Sequence, residues 1–101
     1  MLEYIEKIEM IRRNIKKMKK EVCLNDNLRF NVSKKEYLIN LLNDLEEAVV
    51  NSPEVVYPII ISLKHYSKLY GFDNELNFTY DLFYNSQKEV SHKEAQSMAY
   101  I

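Results

Sequence analysis

Residues 52–71, SPEVVYPIIISLKHYSKLYG, hold both prolines and the only glycine of this 101-residue chain. A sequence so poor in Gly and Pro has little turn chemistry for many strands. It favours a few long helices joined by short loops. The stretch itself reads as the central helix of a small helical bundle. Ser52 is a good N-cap, because its hydroxyl can accept from an otherwise unpaired N–H of the first turn. Pro53 suits the first helical position, where its missing N–H costs nothing, and Glu54 complements the positive end of the helix dipole. Gly71 can take the left-handed conformation that ends a helix. Residues 55–63 carry no charge. They are far too few to cross a bilayer, which needs ~20 apolar residues. A helix apolar on nearly all sides is expected to lie buried among others. The rival is a strand, since Val55, Val56, Tyr57, Ile59, Ile60 and Ile61 are β-branched or aromatic. Pro58 speaks against a central strand because it cannot donate to the ladder. Inside a helix Pro58 loses the bond to the Glu54 carbonyl, so the helix starts at either Pro53 or Pro58.

One domain, residues 1–101, is the natural count for this length. Apolar residues make up 47% of the chain and charged ones 29%, a balance that fits neither a disordered nor a membrane-spanning chain. The formal charge of −1 disfavours a dedicated nucleic-acid binder. Cys23 is alone, so no intrachain disulfide forms and a cytoplasmic setting fits. Glu3, Glu6 and Glu9 interrupt the first apolar residues, where a signal peptide would have an unbroken run.

Four helices are predicted, over about 2–22, 34–51, 53–70 and 74–88, with a tail at 89–101. In the first, Leu2, Ile5, Ile8, Ile11, Ile15, Met18 and Val22 draw one apolar stripe. Arg12, Arg13, Lys16, Lys17, Lys19 and Lys20 fan over the opposite face. Acids early and bases late complement the helix dipole. A solvated basic face also suits an anionic membrane or an acidic partner, and the two readings are compatible. Residues 23–32 form a connector that Leu24, Leu28 and Phe30 are expected to pin, with Cys23 as a small core or loop residue. Ser33 and Glu36 match a capping box, and Val32 and Tyr37 a hydrophobic staple. Leu38, Leu41, Leu42, Leu45 and Val49 then share a face, with Asp44, Glu46 and Glu47 on or near the other, solvated and without partners. The short link at 51–53 makes helices two and three antiparallel. Asp73 or Asn74 caps helix four, whose core stripe is Leu76, Thr79, Tyr80 and Phe83, widened by Phe78 and Leu82.

Tyr66 and Tyr70, and Tyr80 and Tyr84, are spaced to cluster around Gly71. Such a group packs amphipathically or forms a partner-binding patch. Ser91 and Glu94 match a second capping box and could start a short fifth helix carrying Ala95, Met98 and Ala99. Such a segment must dock on the bundle or await a partner. His65 and His92 have no metal-ligand spacing around them, so no cofactor or metal is expected. No nucleophile, base and orienting group can be assembled, so the chain does not read as an enzyme. A helix-turn-helix reading lacks a recognition helix opening with Arg, Asn or Gln.

From Leu38 onward the chain resembles the immunity proteins of Gram-positive bacteria against pediocin-like and lactococcin A-type bacteriocins. The likeness rests on LLNDLEEAVV ending at Asn51-Ser52, on Pro58-Ile59-Ile60 and Leu63 in IIISLKHY, on a polar turn, on LNFTYDLFYN, and on a short tail with an aromatic and an aliphatic end. The first helix shows no match beyond being amphipathic and charged. The resemblance implies an all-α fold, an antiparallel four-helix bundle with a short C-terminal tail or fifth helix. It implies a cytoplasmic protein that acts partly at the inner membrane face. There it would bind, without catalysis, the mannose phosphotransferase permease carrying its bacteriocin. It also implies specificity in the C-terminal half. On this chain that points to helix four and residues 91–101, with Tyr80, Tyr84, Lys88, His92, Met98, Tyr100 and Ile101 as candidate contacts. The basic face of Arg12, Arg13, Lys16, Lys17 and Lys20 would suit an anionic leaflet. The alternative is a small helical inhibitor or adaptor, phage- or plasmid-encoded, that binds a soluble host protein through its tyrosines.

Overall fold

The structure, a computed structural model, describes residues 4–85. They form an all-α, antiparallel four-helix bundle. Helix α1 spans Tyr4–Leu24, α2 Val32–Asn51, α3 Val56–Ser67 and α4 residues 73–85. The tail, the second capping box and the proposed fifth helix lie outside the described residues.

Cross-helix partners fix the directions. Asn14 of α1 bonds Thr79, while Lys17, one turn later, pairs with Glu75, one turn earlier on α4. Ser67 meets Asp73, Lys64 meets Asn77, and Tyr57 meets Tyr80. Advancing along one helix retreats along its neighbour, which defines antiparallel packing.

The stripes of α1 and α2 fill the core as their spacing predicts. Ile8, Ile11, Ile15, Met18 and Val22 are buried against Leu38, Leu42, Leu45, Ala48 and Val49. Leu63, Phe72, Leu76 and Phe83 complete the core from α3, the turn and α4. Ile5 departs from the prediction and is exposed. Arg12 and Lys19 both reach Glu46, so the first turn of α1 projects past Asn51, where α2 ends.

Several local predictions need correction. Helix α2 is capped by Asn31, whose side chain accepts from the Lys34 N–H at 3.1 Å. Val32 and Ser33 therefore lie inside the helix, and neither the capping box nor the staple forms. Asn31 takes the third orphan N–H first, which leaves Ser33 nothing to cap. Of the connector residues only Leu28 is buried; Leu24 and Phe30 face outward. Cys23 belongs to the last turn of α1 and is exposed.

Ser52 closes α2 through its backbone, donating to the Ala48 carbonyl at 2.9 Å, and makes no side-chain cap. A 3-10 turn at Pro53–Val55 follows, and α3 starts at Val56. Helix three thus begins at neither proline. Pro58 falls in its first turn, where an N–H would have no intrahelical partner. Gly71 ends this segment as predicted. Its φ is +81°, and the Phe72 N–H donates back to Ser67 at 2.9 Å, a six-to-one closure. Helix α4 is preceded by Phe72, whose carbonyl accepts from Leu76 at 3.0 Å. Asp73 is the first helical residue, so neither it nor Asn74 is the N-cap.

Helix α3 is one of four peripheral helices and is not central. Only Val56, Ile60, Leu63 and Ser67 are buried; Val55, Tyr57 and Ile61 are exposed. In a four-helix bundle each helix keeps an outer face, and in the first half of α3 that face is apolar, with Lys64 and His65 exposed later.

Candidate partner-binding face

The seam between α3 and α4 is a polar clasp that continues into an aromatic surface. Near the Gly71 turn, the Ser67 hydroxyl donates to the Asp73 carboxylate at 2.5 Å. Lys64 lies 3.8 Å from the same carboxylate and bonds Asn77. The Ser67 hydrogen bond, then Lys64, Lys68 and the Asn77 amide, hold Asp73 below the usual carboxylate range. This clasp sets the register of α4 on α3. Farther from the turn, Tyr57 meets Tyr80 with ring centroids 6.1 Å apart, and Tyr80 stacks on Tyr84 at 6.0 Å.

Tyr57 is 58% and Tyr84 52% exposed, with Tyr80 half-buried between them. Ile61 lies four residues from Tyr57 and so shares its side of α3; it too is exposed. Glu54, in the 3-10 turn before α3, and Asp81 of α4 are exposed nearby in sequence. A rigid row of aromatic rings with polar tips suits protein recognition, because little side-chain freedom is lost on contact.

The expected cluster of four tyrosines does not form. Tyr66 and Tyr70 stack at 6.3 Å but join Tyr37 of α2, with Lys34 over the Tyr66 ring. Antiparallel register explains this. Tyr80 lies opposite Tyr57, nine residues and ~13 Å of helix from Tyr66. Tyr70 is buried and belongs to the core. Tyr57, which the sequence did not single out, takes the place intended for Tyr66. Of the other candidate contacts, Lys88, His92, Met98, Tyr100 and Ile101 lie outside the described residues.

The basic face of α1 is partly neutralised. Lys19 donates to Glu46 at 2.9 Å, Arg12 lies 3.7 Å from the same carboxylate, and Lys17 lies 3.5 Å from Glu75. Glu46 therefore has partners, contrary to the expectation of a solvated face. The Lys19 hydrogen bond and charge, then Arg12 and Lys16, lower its pKa against the opposing effect of burial. Arg13, Lys16 and Lys20 form no ion pair among the described residues and recur at helical spacing on the outer side.

Asn14 was not legible as a structural residue. Its amide donates to the Glu75 carbonyl at 2.5 Å and to the Thr79 hydroxyl at 2.6 Å, bridging α1 and α4. Among the described residues no three His, Cys, Asp or Glu side chains gather to hold a metal ion. No described helix is long and apolar enough to cross a membrane. A scan against protein-family models, a search of curated proteins and a search of solved structures each found no match to this chain.

Proposed function

We propose that the chain is a non-catalytic immunity protein that protects a bacteriocin producer by binding the receptor–bacteriocin complex at the cytoplasmic membrane face. The observation that carries the binding role is the exposed row Tyr57–Tyr80–Tyr84 on the α3–α4 seam. The sequence resemblance from Leu38 onward, ending in LNFTYDLFYN and an apolar terminus, supplies the partner class. A rigid bundle offers a pre-ordered face, which limits the ordering cost of association. Met98, Tyr100 and Ile101 are the proposed apolar anchors on that partner.

The test is expression in a bacteriocin-sensitive Gram-positive strain, challenged with a panel of pediocin-like and lactococcin A-type peptides. A large rise in the tolerated dose of one peptide is expected, and that peptide names the target. Deleting residues 95–101 is expected to abolish protection while the helical melt stays nearly intact. No protection against any peptide, from a folded and expressed chain, contradicts the reading. Recovery of a soluble host protein in place of permease subunits would favour the inhibitor alternative.

A further inference from the structure

The end of the bundle opposite the Tyr57–Tyr84 row is a single surface made of two loops. The Asn25 amide donates to the Tyr70 carbonyl at 3.0 Å, tying the α1–α2 connector to the α3–α4 turn. From this end Phe30 projects 90% exposed, with Leu24 at 71% and Leu69 at 66%. The Arg29 guanidinium lies 5.5 Å from the Phe30 ring. Lys20, Arg29, Lys35 and Lys68 lie within a few residues of these side chains in sequence, and none is in an ion pair among the described residues. The acids at this end are Glu21, Asp26, Glu36 and Asp73, the last already engaged by Ser67 and Lys64, against five cations once Lys34 is counted. Lys34 and Lys35 sit in the first turn of α2, where the helix dipole disfavours positive charge. Dipole complementation therefore does not account for Lys34 and Lys35.

We infer that this end docks on an anionic lipid bilayer, with Phe30, Leu24 and Leu69 entering the headgroup region and the Lys and Arg side chains meeting lipid phosphates. A protein partner would have to desolvate these cations to bury the apolar tips. A bilayer interface takes both at once, because long basic side chains keep their charge at the headgroups while apolar groups go deeper. A few apolar tips or a few cations alone bind membranes weakly; the combination gives reversible attachment. This inference does not rest on the immunity reading, since it needs no bacteriocin and no receptor.

The chain has no tryptophan, so single reporters are available. Phe30→Trp labels the docking end and Tyr84→Trp the opposite end. Each variant is mixed with phosphatidylglycerol–phosphatidylcholine vesicles and with phosphatidylcholine vesicles alone. The expected result is a blue shift of Phe30→Trp emission with the anionic vesicles only, no shift for Tyr84→Trp, and co-flotation of the chain with the vesicles. Raising the salt from about 0.05 to 0.5 M should lower the bound fraction severalfold. Lys20→Glu with Arg29→Glu should weaken binding at least about tenfold, with unchanged circular dichroism. No shift and no flotation at low salt overturns the inference, as does equal binding to uncharged vesicles. A lipid-independent blue shift with a dimer in sedimentation also overturns it and makes this end a contact between copies of the chain.

Discussion

Residues 15–41 and 62–77, the half of the bundle holding the Phe30 loop, carry nine Lys or Arg and five Asp or Glu. Residues 4–14, 42–61 and 78–85, the half holding Tyr57 and Tyr84, carry three and seven. Both ends expose large apolar side chains, yet their charge is opposite. Helix dipoles cannot be the common cause, because antiparallel helices present both dipole ends at each end of the bundle. Bases late in α1 follow its dipole. In α2, Lys34 and Lys35 stand at the positive end, against the dipole by ~0.3–1 kcal/mol each where exposed, while Asp44, Glu46 and Glu47 lie before the last turn, where the dipole has little effect. The difference teaches that the polarity belongs to the surface as a whole. In our two proposals the basic end meets anionic lipid and the acidic end a protein partner.

Five substitutions sharpen or break this comparison. The largest effect is expected in the layer the two ends share. Leu42→Ala removes a fully buried side chain and should lower stability by roughly 2–5 kcal/mol in urea unfolding. A loss confined to one end, read by local hydrogen exchange, would show that the halves are not one cooperative unit. Next is Gly71→Ala at the basic end. No atom lies within 4 Å of the added Cβ, but φ is +81°, so the cost is conformational, about 1–2 kcal/mol.

The caps contrast the ends directly. Asn31 at the basic end makes a side-chain cap and Ser52 at the acidic end makes none. Asn31→Ala should cost ~1 kcal/mol and Ser52→Ala at most a few tenths, by thermal or urea melts. The last effect is electrostatic. Glu46 is lowered by Lys19, Arg12 and Lys16, so its folded pKa lies below its unfolded one. Its contribution is present above the unfolded value and is lost as pH falls through the folded value. Glu46→Gln should flatten the acid limb of the stability–pH profile by less than about 1 kcal/mol. An unchanged limb would mean that Glu46 is effectively solvated.

Much of the fold could be read from periodicity. The stripes Ile8–Val22 and Leu38–Val49 report one buried face each, and spacing alone encodes that. Gly71 was legible because few residues tolerate its φ. Helix α3 misled for a physical reason: an apolar outer face and a buried one look alike in sequence, and Tyr57 and Ile61 carry no mark of exposure. The tyrosine grouping needed the α3–α4 register, which the Ser67–Asp73 clasp sets across a turn. Partners of Glu46 and Asn14 come from other helices, so no local pattern announces them. At the start of α2, Asn31 and Ser33 are both good caps two residues apart, and the competition between them is decided by geometry.

The most direct test of the functional account compares the intact chain with a Tyr57→Ser, Tyr84→Ser variant in the bacteriocin challenge. Both side chains are more than half exposed, so the variant should fold with a nearly unchanged melt. The account predicts that the intact chain protects against one peptide of the panel and that the variant loses most of that protection. Full protection by the variant would remove the role of the aromatic row, and no protection by the intact chain would contradict the immunity function itself.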